Sequence, residues 1–121
     1  MSKESINIFI DYKNTKTLDF WIREKKLSFN DLLQIWIPIL YALEEAQQHC
    51  SFIHMDLYPW NILLEEKDNT VTYLQKIKVQ SKYLPILIDY GNSHIIENGK
   101  HYYTTTPFIF NRFQDVISLV L

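Results

Sequence analysis

Apolar positions alternate at Ile6, Ile8 and Ile10 in "INIFIDY", the period of two that predicts a short strand. The polar "KNTKT" after it reads as a turn. Thr17 can cap a helix whose Leu18, Trp21 and Ile22 share one face, with "REKKL" ending it. Ser28, with Asp31 three residues later, has the form of a capping box. Behind it Leu32, Ile35, Trp36, Ile39, Leu40 and Leu43 recur at helical spacing. So wide an apolar face predicts a well-buried helix. Pro38 predicts a kink or a break in it, and "EEAQQHC" carries it to a polar end.

A loop then holds "FIHMDLYPWN", followed by a strand at Ile62–Leu64. "EEKDN" reads as a turn, "TVTYL" and "KIKVQ" alternate as the strands of a hairpin, and "YLPILID" reads as a further apolar strand. "HIIENGKHYYTTTPFIFNRF" is loop-like, with Asn98-Gly99 as a turn signal. "FQDVISLVL" opens an apolar helix and stops there, which leads us to expect a piece of a longer polypeptide. Trp36 and Trp60 read as core, and Lys76 and Lys78 as a solvated face. There is no internal repeat, low-complexity tract or linker.

The length of 121 residues suits one domain, and 47% hydrophobic with 15% aromatic residues predicts a packed core rather than disorder. A net charge of −2 gives no reason to expect a nucleic-acid partner. Cys50 has no second cysteine to pair with, which fits a reducing compartment. "MSKESINIF" lacks the apolar core of a secretion signal, and "IWIPILYAL" is too short to span a bilayer. The expectation is an intracellular, cytoplasmic domain with no membrane partner. The only glycines are Gly91 and Gly99, so the sequence contains no Gly-rich loop or Walker motif to cradle a phosphate.

Three polar residues stand at the edges of apolar strands: Asp56, Asn61 and Asp89. Two carboxylates and an amide are oxygen ligands that suit Mg²⁺, which recruits substrate phosphates to complete its shell. One acid can also orient a hydroxyl and take its proton. Such a set fits phosphoryl transfer, where positioning and charge neutralisation dominate. His49, Cys50 and His54 lack the paired spacing of a zinc site.

"HMDLYPWN" resembles the catalytic loop of protein kinases, H-R-D-L-x-x-x-N, with His54, Asp56, Leu57 and Asn61 in register. "DYG" at Asp89–Gly91 looks like D-F-G, and "DVISL" at Asp115–Leu119 is similar to the start of the long central C-lobe helix. "IFIDY" resembles the last N-lobe strand entering the hinge. The motifs occur in kinase order and cover nearly the whole chain. The resemblance implies an α+β fold: a protein-kinase-like C-lobe, mainly helical with a small β-hairpin region, over residues 13–121, and a hinge strand at 1–12 as the incomplete N-lobe. It implies Asp56 as catalytic base, His54 as a structural brace, Asn61 and Asp89 as Mg²⁺ ligands, and Asp115 as an anchor for the loop's backbone amides. It further implies that Gly91 permits the turn after the metal ligand and that backbone near Asp11 and Tyr12 meets the adenine of ATP. The activity implied is Mg-ATP-dependent phosphorylation of a protein hydroxyl, of the Ser/Thr type.

The chain departs from the pattern in several places. It lacks the Gly-rich loop and the strand lysine, Met55 replaces the arginine, and Tyr58 stands where many Ser/Thr kinases have lysine. Asn61 and Asp89 are farther apart than in ordinary kinases, with an enlarged hairpin expected between them, and no A-P-E follows. The isolated chain is therefore expected to have little activity, with an N-lobe segment supplied on the same or another chain. Two alternatives stay open: a kinase remnant serving as a binding scaffold, and a small-molecule phosphotransferase of the aminoglycoside or choline type, whose H-G-D-L-H-P-x-N shares Pro59. The wording "DLYPWNIL" also looks like the divergent kinases of large DNA viruses.

Overall fold

A computed structural model describes residues 15–103 and 113–120. The expected hinge strand, Asp11, Tyr12 and the stretch "TTTPFIF" lie outside these residues.

Part of the expected polar turn is a strand, β1 (Lys16–Thr17), because its backbone pairs with a partner distant in sequence: Lys16 lies opposite Leu64 and Thr17 opposite Leu63. The Thr15 hydroxyl donates to the Leu64 carbonyl beside it. Thr17 then caps helix α1 (Leu18–Glu24), its hydroxyl accepting from the Phe20 N–H at 3.1 Å. Leu18 is fully buried and Trp21 packs edge-on against Tyr83, but Ile22, expected on the same face, is exposed.

Helix α2 (Phe29–Cys50) opens on the expected capping box: the Ser28 hydroxyl accepts from the Asp31 N–H at 3.1 Å, and the Asp31 carboxylate accepts from the Ser28 N–H at 2.9 Å. The helix runs through Pro38 without a break. Proline has no N–H to give the carbonyl four residues back, so the Gln34 carbonyl loses its helical donor. The Ser81 hydroxyl donates to that carbonyl at 2.9 Å, and the Gln34 side chain accepts from the Lys82 N–H at 2.9 Å. The strand carrying Ser81 thus repairs the defect in the helix. Ile35, Pro38, Ile39 and Leu43 are buried, whereas Ile37 and Leu40 are exposed. The helix is buried on one side only, narrower than its apolar pattern implies.

The β-region is larger than the sequence indicated. Strand β2 (Ile62–Tyr73) runs straight through the "EEKDN" read as a turn, and β3 (Ile77–Leu87) joins the two segments read as separate strands. They form one long antiparallel hairpin, with sheet order β1-β2-β3. The "EEKDN" polarity marks a register shift between Glu66 and Asn69, not a reversal. There the Asn69 amide donates to the Ser81 and Tyr83 carbonyls at 3.3 and 3.1 Å, satisfying acceptors that an interrupted ladder leaves over. The reversal comes at Leu74-Gln75, both left-handed at φ 53° and 63°. Near it Tyr73 stacks on Tyr41 of α2 at 5.8 Å.

Within the expected loop, β4 (Ile95–Glu97) and β5 (Lys100–Tyr102) pair around Asn98-Gly99, both with positive φ as a two-residue hairpin turn requires. Helix α3 (Gln114–Val120) sends Leu119 into a core built from Leu18, Ile35, Ile39, Leu43, Leu57, Ile62, Leu64 and Tyr83. The fold is α+β, with three helices and two antiparallel sheets among the described residues. None of the described helices is long and apolar enough to cross a membrane.

Two outcomes are expected in urea unfolding. Ser81→Ala should destabilise by about 1–3 kcal/mol in the native background and by less in Pro38→Ala, where residue 38 again donates to Gln34. Replacing Leu74-Gln75 by Asn-Gly should stabilise by about 1 kcal/mol, because neither native residue favours the left-handed region.

Candidate active site

The loop after α2 begins at Ser51, whose left-handed backbone ends the helix. Ile53 exchanges two backbone hydrogen bonds with His94, at 3.0 and 2.9 Å. Next, the buried Asp115 of α3 takes two main-chain donors with one carboxylate: the His54 N–H at 2.7 Å and the Met55 N–H at 3.0 Å. Met55 sits at φ 73°, a conformation that costs a side-chain-bearing residue about 1–2 kcal/mol and persists where its surroundings hold it. Burial pushes the Asp115 carboxyl above its ordinary value, against the pull of the two N–H groups.

The buried His54 ring lies between two backbone groups. Asp56 N–H meets Nδ1 at 3.2 Å, and Nε2 is 2.7 Å from the Ile88 carbonyl. A main-chain N–H can only donate, so Nδ1 is the acceptor and Nε2 carries the hydrogen given to Ile88. The ring thereby ties the Asp56 segment to the end of β3. Tyr90 packs against it at 5.4 Å and against Phe52 at 6.3 Å, and the Ser93 hydroxyl donates to the His54 carbonyl at 3.2 Å.

Asp56 is half-buried, and Asn61, at 6% exposure, is buried beneath it. The Asn61 side-chain NH₂ donates to both the Asp56 carbonyl at 2.8 Å and the Asp56 carboxylate at 3.0 Å. The backbone closes the same turn: Tyr58 N–H donates to Asp56 at 2.9 Å and Asn61 N–H to Tyr58 at 2.8 Å. Pro59 opens a 3₁₀ turn (Pro59–Asn61), where its missing N–H leaves nothing unsatisfied. Leu57, fully buried, pins the turn to the core. The Asn61 carbonyl accepts from Ile88 N–H at 3.0 Å, so Asp89 follows immediately on the neighbouring strand end.

Thus His54, Asp56, Asn61 and Asp115 belong to one hydrogen-bonded unit, with Asp89 beside it, exposed and left-handed at φ 59°. The left-handed residue of the D-Y-G stretch is Asp89, not Gly91. A Cβ added at Gly91 would meet only Asp89 Oδ1, at an ordinary 3.6 Å. Asp11 and Tyr12, expected to meet adenine, lie outside the described residues. Among the described residues no three His, Cys, Asp or Glu side chains gather as a metal site. Chemically, the Asp56 carboxylate is oriented by Asn61 and exposed enough to reach a hydroxyl, as a general base must be.

Trp60 is not core. Its indole stacks on the Tyr58 ring at 4.6 Å and 12°, and the residue is 53% exposed. The one signal in the sequence was its place in the Pro59 turn, outside the apolar run that starts at Ile62. His94 was also missed. It is buried, stacks on Tyr103 at 4.6 Å, and has Nε2 3.3 Å from His101 Nδ1.

Asp115→Ala would remove the acceptor of the buried His54 N–H and the part-buried Met55 N–H, and we expect a loss of about 3 kcal/mol in chemical denaturation, with Asp115→Asn losing less. Burial and the neighbouring His101 hold the His94 imidazole below its ordinary value. An imidazole kept neutral in the folded state favours folding above the unfolded-state value near 6.5, and that contribution is lost as pH falls below it. The melting temperature of the native chain should therefore drop from pH 7 to pH 5 more steeply than that of His94→Gln.

The chain matches no family model. It is 34% identical over 101 residues to a protein named as a probable kinase from Invertebrate iridescent virus 3, covering 81% of this chain and 19% of that protein. To an uncharacterized protein of Invertebrate iridescent virus 6 it is 30% identical over 112 residues, covering 77% of this chain and 9% of that one. The carbon catabolite-derepressing protein kinase of Saccharomyces cerevisiae is 28% identical over 98 residues, covering 81% of this chain and 13% of the yeast protein. The chain thus spans a fifth or less of the length of these relatives. The chain is thus related in sequence to proteins named as viral and yeast kinases, which supports a kinase-like relationship.

Proposed function

We propose that this chain carries the acceptor-side and metal-side residues of an ATP-dependent phosphotransferase acting on a protein hydroxyl, of the serine or threonine type. One observation carries the reading. Asn61 orients the Asp56 carboxylate through its side chain and, through its carbonyl, joins the strand end that presents Asp89. In this reading Asp56 orients the acceptor hydroxyl and takes its proton, and the His54 ring and the Asp115 carboxylate hold the Asp56 backbone in place. Asn61 and Asp89 supply oxygen donors that suit a hard cation, and Mg²⁺ bound there would neutralise charge on the ATP phosphates. The adenine falls to the backbone near Asp11 and Tyr12. The kinase names of two relatives support the same assignment.

The sequence contains no Gly-rich loop or strand lysine, so the 121-residue chain by itself should transfer phosphate poorly. In the natural polypeptide that contains it, Asp56→Asn should lower the transfer rate by roughly 10²–10⁴ while leaving the Mg-ATP thermal shift in place. Asp89→Ala should abolish that shift. Transfer unaffected by Asp56→Asn, or a Mg-ATP shift that survives Asp89→Ala, would refute the assignment. Absence of any shift in the native protein would leave a scaffold role.

A further inference from the structure

Asp89 differs from Asp56 in how it is held. The Asp56 carboxylate accepts from the Asn61 amide at 3.0 Å. Among the described residues the Asp89 carboxylate has no hydrogen-bond partner, so its direction is set by its own backbone. That backbone is left-handed, at φ 59°. Aspartate tolerates this region better than most residues, yet an unconstrained chain visits it only rarely. Neighbouring groups must therefore hold residue 89 there.

On the strand side the hold is through the main chain. Ile88 N–H donates to the Asn61 carbonyl at 3.0 Å, and the Ile88 carbonyl accepts from His54 Nε2 at 2.7 Å. On the far side it is a side chain. The Tyr90 hydroxyl turns back and donates to the Leu87 carbonyl at 2.9 Å. That bond joins residue 90 to residue 87 and closes a ring of chain containing Ile88 and Asp89. The anchor is itself fixed: the Tyr90 ring packs on His54 at 5.4 Å and Phe52 at 6.3 Å, and the Tyr90 carbonyl accepts from Ser93 N–H at 2.9 Å. Tyr90 is 55% exposed, so water could satisfy its hydroxyl, which bonds the strand end instead. A phenylalanine at this place, as in D-F-G, keeps the ring contacts and lacks the bond.

We propose that Tyr90 is a positioning residue: its hydroxyl, bonded to the Leu87 carbonyl, fixes the left-handed backbone at Asp89 and thereby aims that carboxylate at the cation. The inference rests on the phosphotransferase reading and adds to it a group that the D-F-G pattern does not supply. Tyr90 touches neither cation nor phosphate in this scheme. It removes conformations of residue 89 that the metal would otherwise have to exclude on binding.

The test compares native protein with Tyr90→Phe in the natural polypeptide that contains this chain. ATP binding is titrated by calorimetry, first in EDTA and then over a range of Mg²⁺ concentrations. In EDTA the two proteins should behave alike, because ATP without its cation does not engage Asp89. With Mg²⁺, the concentration giving half of the metal-dependent gain should rise roughly three- to tenfold in Tyr90→Phe, the effect of one hydrogen bond. The double variant Asp89→Ala, Tyr90→Phe should bind Mg-ATP as Asp89→Ala does, because the hydroxyl acts through Asp89. An equal Mg²⁺ requirement in native protein and Tyr90→Phe overturns the inference, while a gain that depends on Asp89 keeps the phosphotransferase reading intact. A loss in Tyr90→Phe that is as large in EDTA, or that adds to Asp89→Ala, shows a general loosening and overturns it as well. Absence of any Mg²⁺-dependent gain in the native protein removes both.

Discussion

A buried carboxylate organises this molecule. Asp115 reaches across 61 residues of sequence to accept the N–H of His54, and takes that of Met55 with its other oxygen. Those two bonds offset the cost of burying an acid, which on its own would be driven toward its neutral form. They also hold Met55 in a left-handed backbone conformation that its side chain disfavours. With the chain turned there, the His54 ring meets the Asp56 N–H and the Ile88 carbonyl together. The candidate catalytic carboxylate, its amide partner and the strand end leading to Asp89 inherit their positions from that sequence of contacts.

A second constraint lies in α2. Pro38 would leave a carbonyl without a donor in an isolated helix, yet here the Ser81 hydroxyl supplies one. The repair clips the long β2–β3 hairpin to the helix, and the Asn69 amide does similar work where the ladder slips. Two local defects thus become the points where elements distant in sequence are joined.

Much of the site was legible because its residues lie within a few positions of each other. The spacing of His54, Asp56, Leu57 and Asn61 marked a candidate loop that the structure ties together by hydrogen bonds, and Ser28 with Asp31 marked a helix start; both are local chemistry. The sheet was harder. "EEKDN" is polar enough to be a turn, and only its pairing with the stretch from Ser81 to Leu84 makes it strand. Leu74-Gln75 has no turn signature, so the reversal there follows from the strands on either side. Trp60 looked like core because apolar aromatics usually are, and its exposure follows from the Pro59 turn and the Tyr58 stack.

The sequence by itself determined the helix starts, the Asn98-Gly99 reversal and the loop that holds the candidate acid and amide. Each depends on neighbours within a few residues, whose interactions survive in any fold. Tertiary structure decided which carbonyl Ser81 serves, which N–H groups Asp115 receives, how far β2 and β3 extend, and which aromatic ring stays in water. Those outcomes depend on groups that meet only after the chain has packed, and no local pattern encodes the partner.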